Sequence, residues 1–113
     1  MKIKVVFHID EVEKWKLLLG NINSLIKGID IKISEVEILA NSNAVTVYKE
    51  SDSIFKKELT ELYNLGVRIC ACNNALVGMN ISKSQIMKFI EVVPIGVKEL
   101  IERQLDGSAY IKP

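Results

Sequence analysis

An α/β fold, with helices on both faces of a five-stranded, mostly parallel sheet, is predicted by two features of this chain. Five short runs rich in β-branched and small apolar residues are spaced along it, and the segments between them mostly carry apolar residues every three or four positions. Strands separated by helices cannot close as hairpins. They lie parallel instead, joined by right-handed crossovers that leave helices on the sheet faces. The 113 residues fit one domain, 1–113, with no repeat, linker or low-complexity segment.

The first strand is read over Lys2 to Ile9 (KIKVVFHI). Asp10 with Glu13 three residues on forms a capping-box-like start to a helix. Val12, Trp15, Leu18, Leu19, Ile22, Leu25 and Ile26 follow at helical spacing, and Gly28 stops it. Ser34 to Ala40 is the second strand and Asn41-Ser42-Asn43 a polar loop. Ala44 to Tyr48 has strand-like composition but is assigned a short helix. Ser51 to Ser53 can cap the next helix, with Phe55, Leu59, Leu62 and Leu65 on its inner face and Gly66 at its end. Val67 to Cys72 is the third strand, and Asn73-Asn74 reads as a loop. Ser82 with Gln85 is a second capping box, opening a short helix that carries Ile86 and Phe89. Glu91 to Val93 is the fourth strand, stopped by Pro94. Gly96 to Leu105 is a helix with Val97, Leu100, Ile101 and Gln104 or Leu105 inward. Gly107 ends it, and Ala109 to Lys112 is the last strand.

Lys and Arg number 15 and Asp and Glu 14, scattered rather than clustered, which argues against a nucleic-acid partner. No run is apolar enough to span a bilayer, and Met1 to Ile9 carries no signal-peptide pattern, so the expected location is the cytoplasm, without a membrane partner. Two cysteines in a reducing compartment are expected to be free thiols.

Ligands in an open parallel sheet bind beyond the carboxyl ends of the strands. The strand assignments put His8, Asn41, Ser42, Asn43, Cys72, Asn73 and Asn74 along that edge. Cys72 reads either as a nucleophilic thiol, its anion stabilised by N–H groups of the following loop, or as a small buried hydrophobe. Cys70, two residues earlier, points to the same face. Full extension separates the two Cα atoms by about 6.6 Å, the long end for a disulfide, which favours Cys70 as core. His8 could orient the thiol or a ligand, or simply be a satisfied interior group. Two Cys and one His without ligand spacing make no structural zinc site, so no metal is expected. Neither a Gly-rich phosphate loop nor a serine nucleophile elbow is present.

The block Gly66-Val67-Arg68-Ile69-Cys70-Ala71-Cys72-Asn73-Asn74-Ala75-Leu76 resembles a segment of the DsrE/DsrF-like proteins, which are associated with intracellular sulfur handling. Val5 to Asp10 with Trp15, and Val93 to Val97 with Leu100, Gln104, Gly107, Tyr110 and Pro113, resemble further blocks of its small single-domain branch. The resemblance implies a three-layer α/β/α sandwich and a trimer or hexamer. It also implies that Cys72 matches the cysteine that accepts sulfane sulfur as a persulfide, with Cys70 having no such role. Where relatives often have a Gly-containing turn, this chain has Asn41-Ser42-Asn43, whose side chains would stand in the way of a ligand approaching the backbone.

Two functions follow. One is a sulfurtransferase-like carrier that takes sulfur from a donor protein onto Cys72 and passes it to an acceptor, with Asn73, Asn74 and His8 as helpers and no cofactor. The other is a non-enzymatic module that binds a small anion or nucleotide, or serves in assembly, with Asn41, Ser42 and Asn43 giving specificity. A homo-oligomer is expected in either case, with Tyr48, Phe55 and Phe89 as candidate interface aromatics.

Overall fold

The computed structural model describes residues 2–51 and 53–113. Five strands, β1 (Lys4–Ile9), β2 (Glu35–Ala40), β3 (Arg68–Cys72), β4 (Glu91–Val93) and β5 (Ala109–Ile111), form one all-parallel sheet in the order β4-β3-β2-β1-β5. The α-helices among the described residues are α1 (Trp15–Lys27), α2 (Lys56–Asn64), α3 (Asn73–Gly78) and α4 (Gly96–Leu105). No helix among the described residues is long and apolar enough to cross a membrane.

The strand order fixes where the helices go. From β1 through β4 each strand is added on the same side of the last, so right-handed crossovers place α1, α2 and α3 on one face. The chain then returns past β1 to add β5, which puts α4 alone on the opposite face. Alternation along the strands divides the side chains accordingly. Phe7, Ile38 and Ile69 stand in one row facing α1 and α2, whereas His8, Leu39, Cys70 and Glu91 form a row facing the other way.

The first face holds most of the core, with Trp15, Leu18, Leu19 and Ile22 of α1, Leu59 and Leu62 of α2, and Leu76 of α3 packed on the sheet. The segment Ser42–Tyr48 is a 3-10 helix, in keeping with the short helix expected there. It is tied into the core by two buried hydrogen bonds. Trp15 Nε1–H donates to the Ala44 carbonyl at 2.9 Å, and the Tyr48 hydroxyl donates to the Cys70 carbonyl at 2.9 Å. Apolar packing on the second face is small: Val6, Leu39, Cys70, Val93 and Leu100.

Several expectations are corrected. Tyr48 is fully buried and available to no partner. Phe55 is half-buried against the core, and Phe89 is half-buried and stacked on Tyr63. The Asp10–Glu13 cap is not made. A 3-10 turn, Val12–Lys14, precedes α1, and the Val12 N–H is taken by Asn43 Oδ1. Ser53 Oγ accepts the Phe55 N–H ahead of α2, while Asp52 in the expected Ser51–Ser53 cap lies outside the described residues. Leu65 is exposed, because it lies past the last turn of α2. The Ser82–Gln85 capping box is present, but its helix is one 3-10 turn, and Ile86 instead bridges Lys49.

The largest correction concerns α4. It presents Gly96, Glu99 and Leu100 to the sheet and leaves Val97, Ile101 and Leu105 in solvent. The reason lies beneath it: a backbone that must touch Cys72, and an arginine that needs a carboxylate.

Removing the Tyr48 hydroxyl strands a buried carbonyl. Tyr48→Phe is therefore expected to lower unfolding free energy by about 1–2 kcal/mol in a urea titration, with unchanged slope.

Candidate functional site

Each of β1, β2 and β3 delivers polar residues to the carboxyl edge as expected, but His8, Asn41 and Asn43 already bond within the protein. His8 is half-buried, with Nδ1 2.6 Å from the Tyr110 hydroxyl and Nε2 3.0 Å from Asn41 Oδ1. This bridge links β5, β1 and the end of β2. Asn43 Oδ1 holds the Val12 N–H at 3.0 Å. Ser42 is exposed and has φ 52, the left-handed conformation in which glycine is at home. The turn thus keeps a glycine-type backbone while carrying a hydroxymethyl group. Asn73 and Asn74 are not a loop. They form the first turn of α3, which starts directly from Cys72.

Cys72 lies at the end of β3 and is 6% exposed. Its Sγ accepts a hydrogen bond at 3.3 Å from the Gly96 N–H, the first residue of α4. The donor comes from the head of α4, not from the segment following Cys72 as the sequence suggested. Its approach depends on glycine: a Cβ at position 96 would stand 3.0 Å from Cys72 Cβ and 3.3 Å from both Sγ and Leu39 Cδ1. A backbone N–H at a helix head is a fixed dipole pointing its positive end at sulfur, so the contact strengthens when the sulfur is anionic.

Cys70 is different. It is fully buried, and both cysteines are free thiols. Burial, then the nearby Glu37 carboxylate, pushes the Cys70 thiol far above its usual range, and Arg68 offsets this only in part. Its Sγ–H points to Glu91 Oε2 at 3.8 Å. Cys70 therefore belongs to a second group of residues that sequence reading missed, lying further back under α4. Arg68 Nη1 donates to Glu37 Oε1 and to Glu99 Oε2, each at 2.7 Å, and its Nε donates to Glu91. Ligand atoms of Glu37, Cys70 and Glu99 come within 4.8 Å of one another, as a metal site requires. The Arg68 guanidinium already supplies the positive charge between the two carboxylates. The signal in the sequence was the polar residues Glu37 and Arg68 inside otherwise apolar strands, on the face that carries the two cysteines.

The DsrE/DsrF-like family model matches residues 1–113. The chain belongs to the DsrE/DsrF-like family. Among solved structures, MTH1491 of Methanobacterium thermoautotrophicum, a protein of unknown function, is 33% identical, with a TM-score of 0.91 over 99% of this chain and 100% of its own. The ychN protein of E. coli shares 16% identity and a TM-score of 0.79, with each chain covered completely, and shows the likeness of fold. No curated protein matches the chain. This family member thus carries its two thiols on the face closed by α4, and among the described residues only Cys72 receives a backbone donor.

The two thiols should be separable by alkylation. At neutral pH iodoacetamide is expected to modify Cys72 well before Cys70, read by fragment masses within the shared peptide. Gly96→Ala should lower stability by about 1 kcal/mol through overpacking at Cys72 and Leu39.

Proposed function

We propose that the protein carries sulfane sulfur as a persulfide on Cys72. The observation that carries this reading is the Gly96 N–H, aimed at Cys72 Sγ from the head of α4 at 3.3 Å; family membership supports it. The Cys72 thiolate attacks the outer sulfur of a donor persulfide. A new S–S bond forms, the donor's S–S bond breaks, and the donor leaves as a thiolate. No oxidant is consumed and no cofactor is needed. An acceptor thiolate then attacks the outer sulfur and Cys72 departs as thiolate, the charge that the Gly96 N–H is placed to meet. Asn73, Asn74 and Ser42 lie at the mouth of the same edge, as side chains a donor or acceptor would touch. His8 and Asn41 hold that edge together through their mutual hydrogen bond.

The near closure of Cys72 suits a carrier, since it shields the bound sulfur from small thiols in solution. The ligand-binding alternative is less well supported, because His8, Asn41 and Asn43 already have protein partners.

The same reading includes a homo-oligomer, a trimer or hexamer. Ile95, Val97, Ile101 and Leu105 are all about half or more exposed on and beside α4, with Tyr110 and Ile111 exposed on the edge strand β5. An apolar stripe of this kind on a small domain calls for a covering surface.

Incubation with a persulfide donor, followed by alkylation and mass analysis, should show one added sulfur on Cys72. Cys72→Ser should abolish loading with the fold intact, whereas Cys70→Ala should retain loading and cost about 1 kcal/mol of stability. Loading on Cys70, or none on either thiol, would remove the carrier reading. Light scattering at micromolar concentration should show an oligomer that Ile101→Glu with Leu105→Glu dissociates.

A further inference from the structure

Gly96 touches Cys72 only while α4 lies on the sheet, and little apolar surface holds it there. Its inward side offers Gly96, Leu100 and a charged residue, Glu99. Glu99 meets Glu37 of β2 across the interface. Both are buried, and both accept from the single Nη1 of Arg68. Glu37 Oε2 and Arg103 Nε are buried with no hydrogen-bond partner among the described residues. Two carboxylates crowded on one donor out of water are most stable with one proton between them.

We infer that Glu37 and Glu99 are positioning residues that hold α4, and with it the Gly96 N–H, against Cys72 by sharing one proton across the sheet–helix interface. This deepens the persulfide reading by naming a control on the same thiol, and rests on that reading only for what the thiol is for. Burial first, then the hydrogen bond that protonated Glu37 donates to Glu99, lifts the Glu37 carboxyl from 4.5 to about 7, with Arg68 opposing. The other charged groups facing the pair are Arg68 of β3, with the Cys70 thiol beside it, Glu91 of β4 and Arg103 of α4. Arg103 Nε lies 3.6 Å from Glu99, while its Nη2 pairs with Asp106 at 3.1 Å. Lys4 of β1 sits further out, bonded to the Asp106 carbonyl and 3.9 Å from Glu35. A cavity of about 150 Å³, lined by Glu37, Arg68, Arg103, Glu35, Ser34 and Ser108, is large enough for water to bring protons to Glu37.

The sign follows from linkage. The docked state binds the proton more tightly than the undocked one. Docking is therefore firmest below the ordinary carboxylate value of 4.5, weakens as pH rises to about 7, and levels off above that. A proton thus seals Cys72, and its loss loosens the seal.

The test is backbone hydrogen exchange in α4, corrected for intrinsic exchange, together with the Cys72 alkylation rate, both at pH 5 and pH 8. In the wild-type protein α4 exchange should rise about threefold or more while α1 stays unchanged. Glu37→Gln, neutral at every pH, should remove the rise, and the wild-type to Glu37→Gln ratio of alkylation rates should climb by a similar factor. Glu99→Gln, which leaves Glu37 buried but takes away its carboxylate partner, should shrink the rise, and carries the test if Glu37→Gln does not fold. Glu102→Gln, on the exposed side of α4, should keep it. A flat wild-type profile, an equal rise in α1, or a rise retained in both Gln variants would overturn the inference. A rise that behaves as expected while persulfide loading fails would leave this inference standing and remove only the carrier reading.

Discussion

Arg68 is the charge on which the second face of the sheet closes. Its guanidinium binds Glu37 of the neighbouring strand, Glu91 of the strand on its other side, and Glu99 of the helix above. Without a cation there, two buried carboxylates would face each other with no compensation, and α4 would have only a small apolar patch to rest on. The turn of α4 about its own axis follows from this. A helix that placed Val97 and Ile101 on the sheet would bury more apolar surface, but it would carry Glu99 away from Arg68 and Gly96 away from Cys72.

Much of the architecture was legible because it depends on local pattern. The β-branched runs, Gly28, Gly66 and Gly107 as helix ends, and helix-length spacers suffice for five parallel strands and the helices between them. The bounds of β4 and α4 agree residue for residue, and Cys72 falls at a strand end as its neighbours implied. The orientation of α4 was not legible, because helical periodicity assumes that apolar residues face inward. Here the inward stripe is Gly96, Glu99 and Leu100, a pattern set by partners on other strands. The donor to Cys72 was missed for the same reason: Gly96 is 24 residues away in sequence. Asn41 and Asn43 lie at the carboxyl edge as their loop implied, but their bonds to His8 Nε2 and the Val12 N–H were not legible, because those partners are distant in sequence.

The two cysteines show how much two residues of sequence can separate chemically. Both point to the face under α4, yet Cys70 is surrounded by carboxylates that oppose a second negative charge, while Cys72 meets a backbone dipole. Cys70 also provides, through its carbonyl, the acceptor for Tyr48 on the first face. It therefore links the two layers, a structural role that a reactive thiol at that position would endanger.

The return of the chain past β1 has a consequence for the order in which the molecule is made. Strands β1 to β3, with α1, α2 and α3, come from the first 78 residues and supply most of the main core. The other side of that nascent sheet has nothing to cover it until residues 96–105 arrive. Until α4 is in place, Cys72 Sγ lacks its contact with the Gly96 N–H. Cys72 gains its cover only when α4 docks, so the thiol closes with the last helix rather than with the main core.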